Sequence, residues 1–399
     1  MLFSCQERGQ VQENSQWRGE GRDGVYHETG LLKEWAADGP ELLWFYEGLG
    51  AGFTSPAISD KRLYITGLNQ DDKLILFVFD LKGKVLIQKQ IGAGREQGHE
   101  YPGPRSTVAI NDGKLYIYDS FGKLLCLDQN TLDEVWAREM TADFGGRNIT
   151  WNFTESPLIV DEKIFIVAGG EKHNIVALDK NTGEQIWSSP GMGTVSAYCS
   201  PQIIKGYSIP ILVTSAADFI VGVNADNGEL LWSYPQTHEY NIHPNTPLYH
   251  NGMILSTTGY RIASTMLRLK DGGRAIDLVW RNDDLDNQMG GVIRIGDYIY
   301  GAGHFNNAWF CVDWNTGETK YRVSNIGRSN IITADGMLFC YSERGNMYLV
   351  KPNPDEFEMI SSFRVMLGTD QHWAHPVIHN GVLYIRHGDA LMAYKVSSF

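Results

Sequence analysis

The chain has 399 residues, of which 43% are hydrophobic, and it carries 43 glycines, 19 tyrosines and 11 tryptophans. Its formal net charge of −13 makes nucleic acid and acidic membrane surfaces poor partners, because like charges repel. The sequence has no apolar run of about 18 residues, so it predicts no transmembrane helix. Many glycines combined with many aromatic residues are typical of an all-β protein with numerous tight turns.

The stretch "QERGQVQENSQ" (6–16) is polar and suits a tether, and we predict that residues 1–40 form an N-terminal tether and wrapping segment. The stretch "LFSC" (2–5) resembles a bacterial lipobox, in which a lipid is attached to the cysteine, here Cys5. The charged and apolar regions of a signal peptide do not precede it. Two explanations therefore stay open, namely a sequence that starts at a downstream Met and a chance match.

From residue 41 onward the sequence repeats one unit, which is clearest at 106–136, 155–187 and 199–232. Each copy contains three short apolar runs, then a turn rich in Asn, Asp and Gly, and then a Trp. This pattern predicts four strands joined by hairpins. Units of 40–50 residues recur eight times, which predicts a single eight-bladed β-propeller over residues 41–399.

The last unit, which begins near residue 372, ends after three apolar runs and lacks its fourth strand. The stretch "ELLWFY" (41–46) belongs to no other unit, and Trp44 occupies the place of a fourth-strand Trp. The sequence therefore predicts that this N-terminal strand closes the eighth blade. Three cysteines within apolar strand-like runs, Cys126, Cys311 and Cys340, are predicted to be buried free thiols.

The string "ALDKNTGEQIW" (177–187) resembles the PQQ-like repeat, which builds the quinoprotein alcohol dehydrogenases and the BamB-type lipoproteins of outer-membrane assembly. Residues 16–397 are similar to envelope propellers of Bacteroidetes and planctomycete-type bacteria. The resemblance implies a periplasmic or outer-membrane-anchored protein and a membrane attachment only through a lipid on Cys5. The repeat is specific for the fold and much less so for function, because the same blades serve catalysts and scaffolds.

Quinoprotein dehydrogenases place a pair of adjacent cysteines against the cofactor and hold Ca²⁺ with Glu, Asn and Asp side chains. The chain has five cysteines, of which no two are adjacent. Glu155 and Asn245 match two of the calcium ligands by residue type, but no catalytic Asp is evident. We therefore expect no cofactor, and PQQ with calcium stays open as an alternative.

In a propeller, the segment that starts each blade faces a central funnel. Eight such segments and the loops before them supply the residues that we predict to bind a ligand: Arg105, Trp151, Asn152, Glu155, Tyr198, His243, Asn245, Gln288, Arg328, Trp373 and His375. Aromatic rings with amides and arginines suit a polar, ring-shaped ligand, and arginine favours carboxylate or phosphate. The alternative is an ordinary polar lining of a wet channel. No metal site is expected at His372 and His375, because satisfied or exposed histidines explain this pair better.

Two functions from different classes follow. The favoured one is a monomeric, non-catalytic envelope propeller that presents its funnel to a partner protein, a glycan or a small polar ligand. The alternative is an enzyme acting on a carbohydrate or alcohol, which includes a PQQ-dependent dehydrogenase. In that case Glu155 or His375 is the acid or base, and Arg105 and Arg328 hold the substrate.

Overall fold

The computed structural model describes residues 15–94, 100–324 and 326–398, and within them the chain forms eight sheets, each built from four antiparallel strands. Seven sheets have four strands, and one has a fifth short strand, Val25–Tyr26. The predicted all-β, eight-bladed propeller is confirmed. In the described part of the chain, helical structure is limited to Met140–Phe144 and a 3₁₀ turn at Asp271–Gly273. None of it is long and apolar enough to cross a membrane.

The first seven blades follow one another along the chain, and each blade uses four consecutive strands. These strands are Ala57–Ser59, Arg62–Leu68, Lys73–Asp80 and Val85–Ala93 (blade 1); Ala109–Asn111, Lys114–Tyr118, Lys123–Asp128 and Glu134–Glu139 (blade 2); Leu158–Val160, Lys163–Ile166, Ile175–Asp179 and Gln185–Ser189 (blade 3); Gln202–Ile204, Ile211–Ala216, Phe219–Asn224 and Leu230–Pro235 (blade 4); Leu248–His250, Met253–Thr258, Ala263–Lys270 and Ala275–Asn282 (blade 5); Val292–Ile295, Tyr298–Ala302, Ala308–Asp313 and Thr319–Ser324 (blade 6); and Ser329–Ala334, Met337–Ser342, Asn346–Lys351 and Glu358–Arg364 (blade 7).

Blade 8 joins the two ends of the chain. Its inner strands are Val377–His379, Val382–His387 and Ala390–Lys395, and its outer strand is the N-terminal Leu42–Glu47. The outer strand pairs antiparallel with Ala390–Lys395. The predicted closure by residues 41–46 is therefore confirmed, with a shift of one residue in the bounds.

The fourth-strand tryptophans join neighbouring blades by one repeated contact. Trp136 of blade 2 donates its indole N–H to the Lys180 carbonyl of blade 3, at 3.1 Å, and its ring covers Gly183. Trp44 of blade 8 donates its indole N–H to the Leu81 carbonyl of blade 1, at 3.0 Å, and its ring covers Gly83. Because a Cβ on either glycine would lie under 3 Å from the ring, the turn before each outer strand needs glycine for space as well as for its positive φ.

Hydroxyl side chains tie successive blade-start segments together around the axis. Thr107 Oγ1 accepts a hydrogen bond from the Ser55 N–H (3.2 Å), and Ser156 Oγ accepts one from the Thr107 N–H (3.0 Å). Ser200 Oγ accepts from the Ser156 N–H at 2.9 Å, and its carbonyl accepts from the Thr246 hydroxyl at 2.9 Å. These bonds fix blades 1 to 5 relative to one another, and so they fix the side chains that face the funnel.

Residues 15–26, which we call the channel segment, fill the centre of the propeller. The Ser15 carbonyl accepts a hydrogen bond from Ile110 N in blade 2, and the Gly21 carbonyl accepts one from Gln202 Nε2 in blade 4. The short strand Val25–Tyr26 pairs parallel with the innermost strand of blade 7. Residues 15–40, which the sequence assigns to a tether and wrapping segment, thus begin inside the propeller.

Two fully buried arginines hold the channel segment in place. Arg18 donates to the carbonyls of Gly290 (2.7 Å) and Val292 (3.1 Å), which belong to the start of blade 6. Arg22 donates to the Ser156 carbonyl (2.8 Å) at the start of blade 3. Burial lowers the pKa of each guanidinium to about 10, and both residues have left-handed backbones. The channel segment therefore joins blades on opposite sides of the axis through backbone carbonyls.

Candidate functional site

A cavity of about 410 Å³ opens at the blade-start segments. Seven of the predicted site residues line it: Arg105, Trp151, Tyr198, Gln288, Arg328, Trp373 and His375. Trp17 of the channel segment also contributes, and its ring meets the His375 ring edge-on at 5.3 Å. The cavity and the channel segment therefore share a boundary. We call this space the funnel cavity.

One wall of the funnel cavity is aromatic. The Trp373 ring centre lies 4.7 Å from that of Tyr101 and 5.2 Å from that of Phe53. Tyr101 in turn lies 5.7 Å from Trp151. These four residues come from blade-start segments and preceding loops of blades 1, 2, 3 and 8, which the closed ring brings side by side.

Three tyrosines of the funnel cavity have left-handed backbones. The φ angles are 56° for Tyr101, 70° for Tyr198 and 62° for Tyr260, and no other tyrosine in the described residues has a positive φ. A bulky residue in this conformation costs on the order of 1–3 kcal/mol, and such strain concentrates at functional sites. The fold therefore holds tyrosine rings at this cavity in spite of a conformational cost.

A chain of polar contacts crosses the opposite wall. Arg328 donates from Nε to Glu343 Oε2 at 2.7 Å and from Nη1 to Gln288 Oε1 at 2.9 Å. Gln288 then donates from Nε2 to the Tyr260 hydroxyl at 2.8 Å. The positive charge of Arg328 is thus already offset by a carboxylate, which reduces the gain from an anionic ligand.

Arg105 is held by its own segment. Its Nη2 donates to the Tyr101 carbonyl at 2.6 Å, and its Nη1 donates to the Gly103 carbonyl at 3.2 Å. The guanidinium also lies 5.1 Å from the centre of the Phe53 ring, within the range of a cation–π contact. Arg105 therefore supports the aromatic wall, since it holds the Tyr101 backbone and packs on the Phe53 ring.

Four of the predicted residues, Glu155, Asn245, His243 and Asn152, are buried outside the cavity lining. Glu155 is 3% exposed, and its Oε1 accepts a hydrogen bond from the Val167 N–H at 2.9 Å. Burial raises the pKa of Glu155 well above its ordinary range. This carboxyl therefore lies in the interior of the propeller, near Arg22 of the channel segment.

Asn245 and His243 have their polar atoms bonded within the propeller. Asn245 donates to the Asn287 carbonyl (2.8 Å), and its side-chain oxygen accepts from the Gly291 N–H (3.1 Å). His243 Nε2 lies 2.9 Å from the Ala217 carbonyl, and burial lowers its pKa to about 4. Both side chains therefore support the start of blades 5 and 6.

His375 lines the cavity but bonds to the channel segment. Its Nδ1 lies 3.3 Å from Arg18 Nη1, which carries only protons to donate, so this nitrogen is the acceptor. Burial, and then the Arg18 cation, lower the pKa of His375 well below its ordinary value. His375 is therefore a neutral side chain that connects the funnel cavity with the channel segment.

The donor set of a calcium–quinone centre does not assemble around the funnel cavity. Glu155 and Asn245, the two residues that match calcium ligands by type, bond to interior backbone groups. Four cysteines, Cys126, Cys199, Cys311 and Cys340, are buried free thiols in separate places, which confirms the prediction for three of them. Within the described ranges, no group of three or more His, Cys, Asp or Glu side chains has a geometry that could hold a metal ion.

The predicted site residues leave out several further lining residues, among them Trp17, Glu100, Tyr260 and His304. Tyr260 and His304 lie on loops between the second and third strands of blades 5 and 6, which reach the same face as the blade starts. The sequence signal for them is their offset from the second strand. Trp17 carries no repeat signal, because the channel segment lies outside the repeats.

The fold and the funnel define a propeller of PQQ-like repeats. A family profile described as "Outer membrane protein assembly factor BamB" matches residues 79–323, and the chain belongs to this family. Among solved structures, BamB from Moraxella catarrhalis is similar, with a TM-score of 0.63 and 14% identity, over 89% of this chain and 99% of that one.

Quinoprotein dehydrogenases also share the fold. The quinohemoprotein alcohol dehydrogenase of Comamonas testosteroni has a TM-score of 0.66 and 13% identity, over 97% of this chain and 81% of that one. The quinoprotein alcohol dehydrogenase PedH of Pseudomonas putida is 26% identical over 148 residues, which is 35% of this chain. That match spans only 24% of the relative's length. At these identities the likeness establishes the architecture.

Proposed function

We propose that the protein is a cell-envelope propeller that binds a sugar unit of a neutral glycan in the funnel cavity without transforming it. The observation that carries this proposal is the aromatic wall of Phe53, Tyr101, Trp151 and Trp373, of which Tyr101 is held at a strained φ. Sugar rings present apolar C–H faces, which pack on aromatic rings much as other apolar groups do. The volume of the cavity is in the range of small-ligand sites.

The opposite wall supports a neutral ligand over an anionic one. Arg328 is paired with Glu343, and Gln288 offers an amide to the same space. Such groups can exchange hydrogen bonds with hydroxyls in both directions, because the carboxylate and the amide oxygen accept while the arginine and amide N–H groups donate. A polyhydroxylated ring matches this mixture better than a carboxylate or phosphate does.

The concave shape supports a small ligand over a partner protein at this position. A stable protein interface covers roughly 800 Å² on each partner, whereas the funnel cavity encloses a space of small-molecule size. The family description as an assembly factor supports an envelope location and leaves room for a protein partner elsewhere on the surface. Lipid attachment at Cys5, which lies outside the described residues, stays a prediction.

Binding is proposed in place of catalysis because the two acid–base candidates serve the interior. Glu155 accepts a hydrogen bond from a backbone N–H behind the cavity, and His375 accepts one from Arg18. Replacing Glu155 by Gln keeps an oxygen for the Val167 N–H, so we expect unchanged ligand affinity. A loss of sugar turnover in this variant would instead support the enzyme alternative.

The proposal is tested by calorimetric titration of the full chain with maltohexaose, cellohexaose, xylohexaose and mannohexaose. We expect saturable binding of at least one sugar, and an affinity at least about tenfold lower for Trp373→Ala, which corresponds to about 1.4 kcal/mol. Phe45→Ala, which removes an exposed ring from the outer strand of blade 8, is the matched control and should bind normally.

A parallel arm uses PQQ with Ca²⁺, because a ligand that binds the native state raises the melting temperature by mass action. We expect no increase in the melting temperature with this mixture. A clear increase, together with no binding of any hexasaccharide, would overturn the glycan proposal and favour the quinoprotein alternative.

A further inference from the structure

A second group of rings lies on the funnel face beside the cavity, on blades 4 to 6. We call it the outer aromatic ridge, and its members are His238, Tyr240, Tyr260, His304 and Phe305. The Tyr260 ring centre lies 5.1 Å from Tyr240, 4.6 Å from His304 and 6.0 Å from Phe305. Tyr240 is 53% exposed and Phe305 is 52% exposed. Large rings with this exposure, grouped together, mark an interaction surface.

The outer aromatic ridge is continuous with the funnel cavity. Tyr260 and His304 belong to both, since each lines the cavity and also contacts an exposed ring of the ridge. The Tyr260 hydroxyl accepts from Gln288, which in turn accepts from Arg328 on the cavity wall. A ligand that occupies the cavity and extends beyond it on this side therefore meets the ridge next.

Backbone contacts fix the ridge in advance of binding. The buried carboxylate of Asp286 accepts hydrogen bonds from the N–H groups of His304 (2.7 Å) and Phe305 (3.1 Å). His304 Nδ1 accepts from the Tyr260 N–H at 3.2 Å, and the Arg261 guanidinium lies 4.8 Å from the Phe305 ring centre. Rings that are already ordered lose less conformational entropy when a ligand covers them.

We propose that the outer aromatic ridge is a second sugar subsite, so that the ligand is a neutral oligosaccharide of at least two units. One unit occupies the funnel cavity, and the next packs over Tyr260 toward Phe305 and Tyr240. This inference rests on the proposed function, because it extends the same ligand along the same face. Its chemical class follows from the aromatic surface and from the shared, charge-balanced polar contacts at Gln288 and Arg328.

The test compares chain lengths within the sugar series that binds in the hexasaccharide panel. The monosaccharide, the disaccharide and the hexasaccharide are titrated into wild type, Phe305→Ala and Tyr240→Ala. We expect the wild-type affinity to rise at least about tenfold from the monosaccharide to the hexasaccharide. Phe305→Ala should remove most of that rise and leave the monosaccharide affinity unchanged.

Phe121→Ala is the matched control, because Phe121 is an exposed phenylalanine on the corresponding loop of blade 2 and lies outside both the ridge and the cavity lining. Should Phe305→Ala lower the melting temperature, Tyr240→Ala and Phe305→Leu provide the same comparison. Equal affinity for all chain lengths, with binding still lost in Trp373→Ala, would overturn the second subsite and leave the proposed function standing. No binding of any sugar would overturn both.

Discussion

The funnel cavity and the channel behind it use the same kinds of residue for different purposes. In the channel, Arg18 is 3% exposed and directs its N–H groups to backbone carbonyls of several blades. At the cavity, the Arg328 side chain is 32% exposed and bonds to the side chains of Glu343 and Gln288. A charged residue near a propeller axis is therefore no evidence of a ligand until its partners are known.

The same contrast explains why some of the predicted funnel residues line the cavity and others are buried. Glu155, which resembles a catalytic carboxylate in the sequence, is buried near Arg22 of the channel segment. Trp373 and Tyr101 face the open side. The channel is thus filled by the channel segment of the same chain. The space left for a ligand is the funnel cavity at its open side.

The largest effect is expected from deleting residues 1–47, which removes the channel segment and the outer strand of blade 8. The loss includes the partly buried Trp44 ring and the buried arginine contacts, at about 1–3 kcal/mol for each backbone carbonyl left without its donor. Since a native domain is stable by only about 5–15 kcal/mol, we expect no cooperative melting transition. Differential scanning calorimetry measures this directly.

A pair of single substitutions serves as the control for that deletion. Trp44→Ala removes the ring that covers Gly83 and the hydrogen bond to the Leu81 carbonyl, so its melting temperature should fall clearly. Phe45→Ala, the next residue on the same strand, is half exposed and should melt like wild type. Equal melting temperatures for the deletion and the full chain would refute the closure.

The next largest effect is expected for Arg18→Met. The change leaves the carbonyls of Gly290 and Val292 buried without their donor, at a cost of about 1–3 kcal/mol each. Urea unfolding should show the free energy of unfolding lowered by about 3 kcal/mol or more. Arg322→Met, at an exposed arginine of blade 6, is the control and should change it by under about 0.5 kcal/mol. If both variants unfold alike, the channel segment is not a structural tie.

An intermediate effect is expected from pH, through His375. The pKa of this residue is lowered in the folded state, so below about pH 6.5 the unfolded chain binds a proton that the folded chain does not. The free energy of unfolding should therefore decrease as pH falls, by up to about 1.4 kcal/mol per pH unit from this group.

His375→Gln isolates that contribution, because a glutamine oxygen can accept from Arg18 without titrating. We expect the difference in unfolding free energy between the two proteins to shift in favour of the variant as pH falls from about 6.5 to about 4.5. The other buried histidines titrate in both proteins and cancel in the difference. If the free energies of unfolding of the two proteins change in parallel with pH, His375 titrates normally. That result would contradict its burial against Arg18.

The smallest effect on stability is expected for Tyr101→Asn, at a residue held at a φ of 56°. Asparagine tolerates the left-handed region, so relief of strain opposes the lost ring contacts with Trp151 and Trp373. The melting temperature should change little, whereas sugar affinity should fall by about tenfold in titration calorimetry. A large drop in melting temperature with unchanged affinity would make the aromatic wall structural.

The repeats made the fold predictable because their signals are local. Four fourth-strand tryptophans each cover a turn glycine of the next blade, so the glycine turns and the Trp spacing encode one contact many times; these residues are Trp44, Trp136, Trp187 and Trp280. The closing strand was predictable because it bears the same Trp without a blade of its own. Seven of the eleven predicted site residues line the cavity for the related reason that blade starts share one face.

The channel segment was not predictable from the same signals. Arg18 and Arg22 donate to backbone carbonyls, which every sequence offers, so no complementary residues mark their partners. The burial of Glu155 and Asn245 likewise depends on contacts with this segment and with backbone donors such as Gly291 N–H, which carry no sequence signal. Tyr260 and Phe305 sit on loops between the second and third strands of their blades, so repeat spacing gives their position along the chain. It does not give the tertiary contacts that order these loops, such as the hydrogen bond from the Phe305 N–H to Asp286.

We propose that a sugar binds in the funnel cavity while the channel behind it stays filled by residues 15–26. A crystal structure of the full chain with the tightest-binding hexasaccharide of the panel tests it most directly. We expect one sugar ring packed against Trp373 and Tyr101, a second ring over Tyr260, and Arg18 still bonded to blade 6. A sugar bound elsewhere, or a channel segment displaced by the ligand, would contradict it.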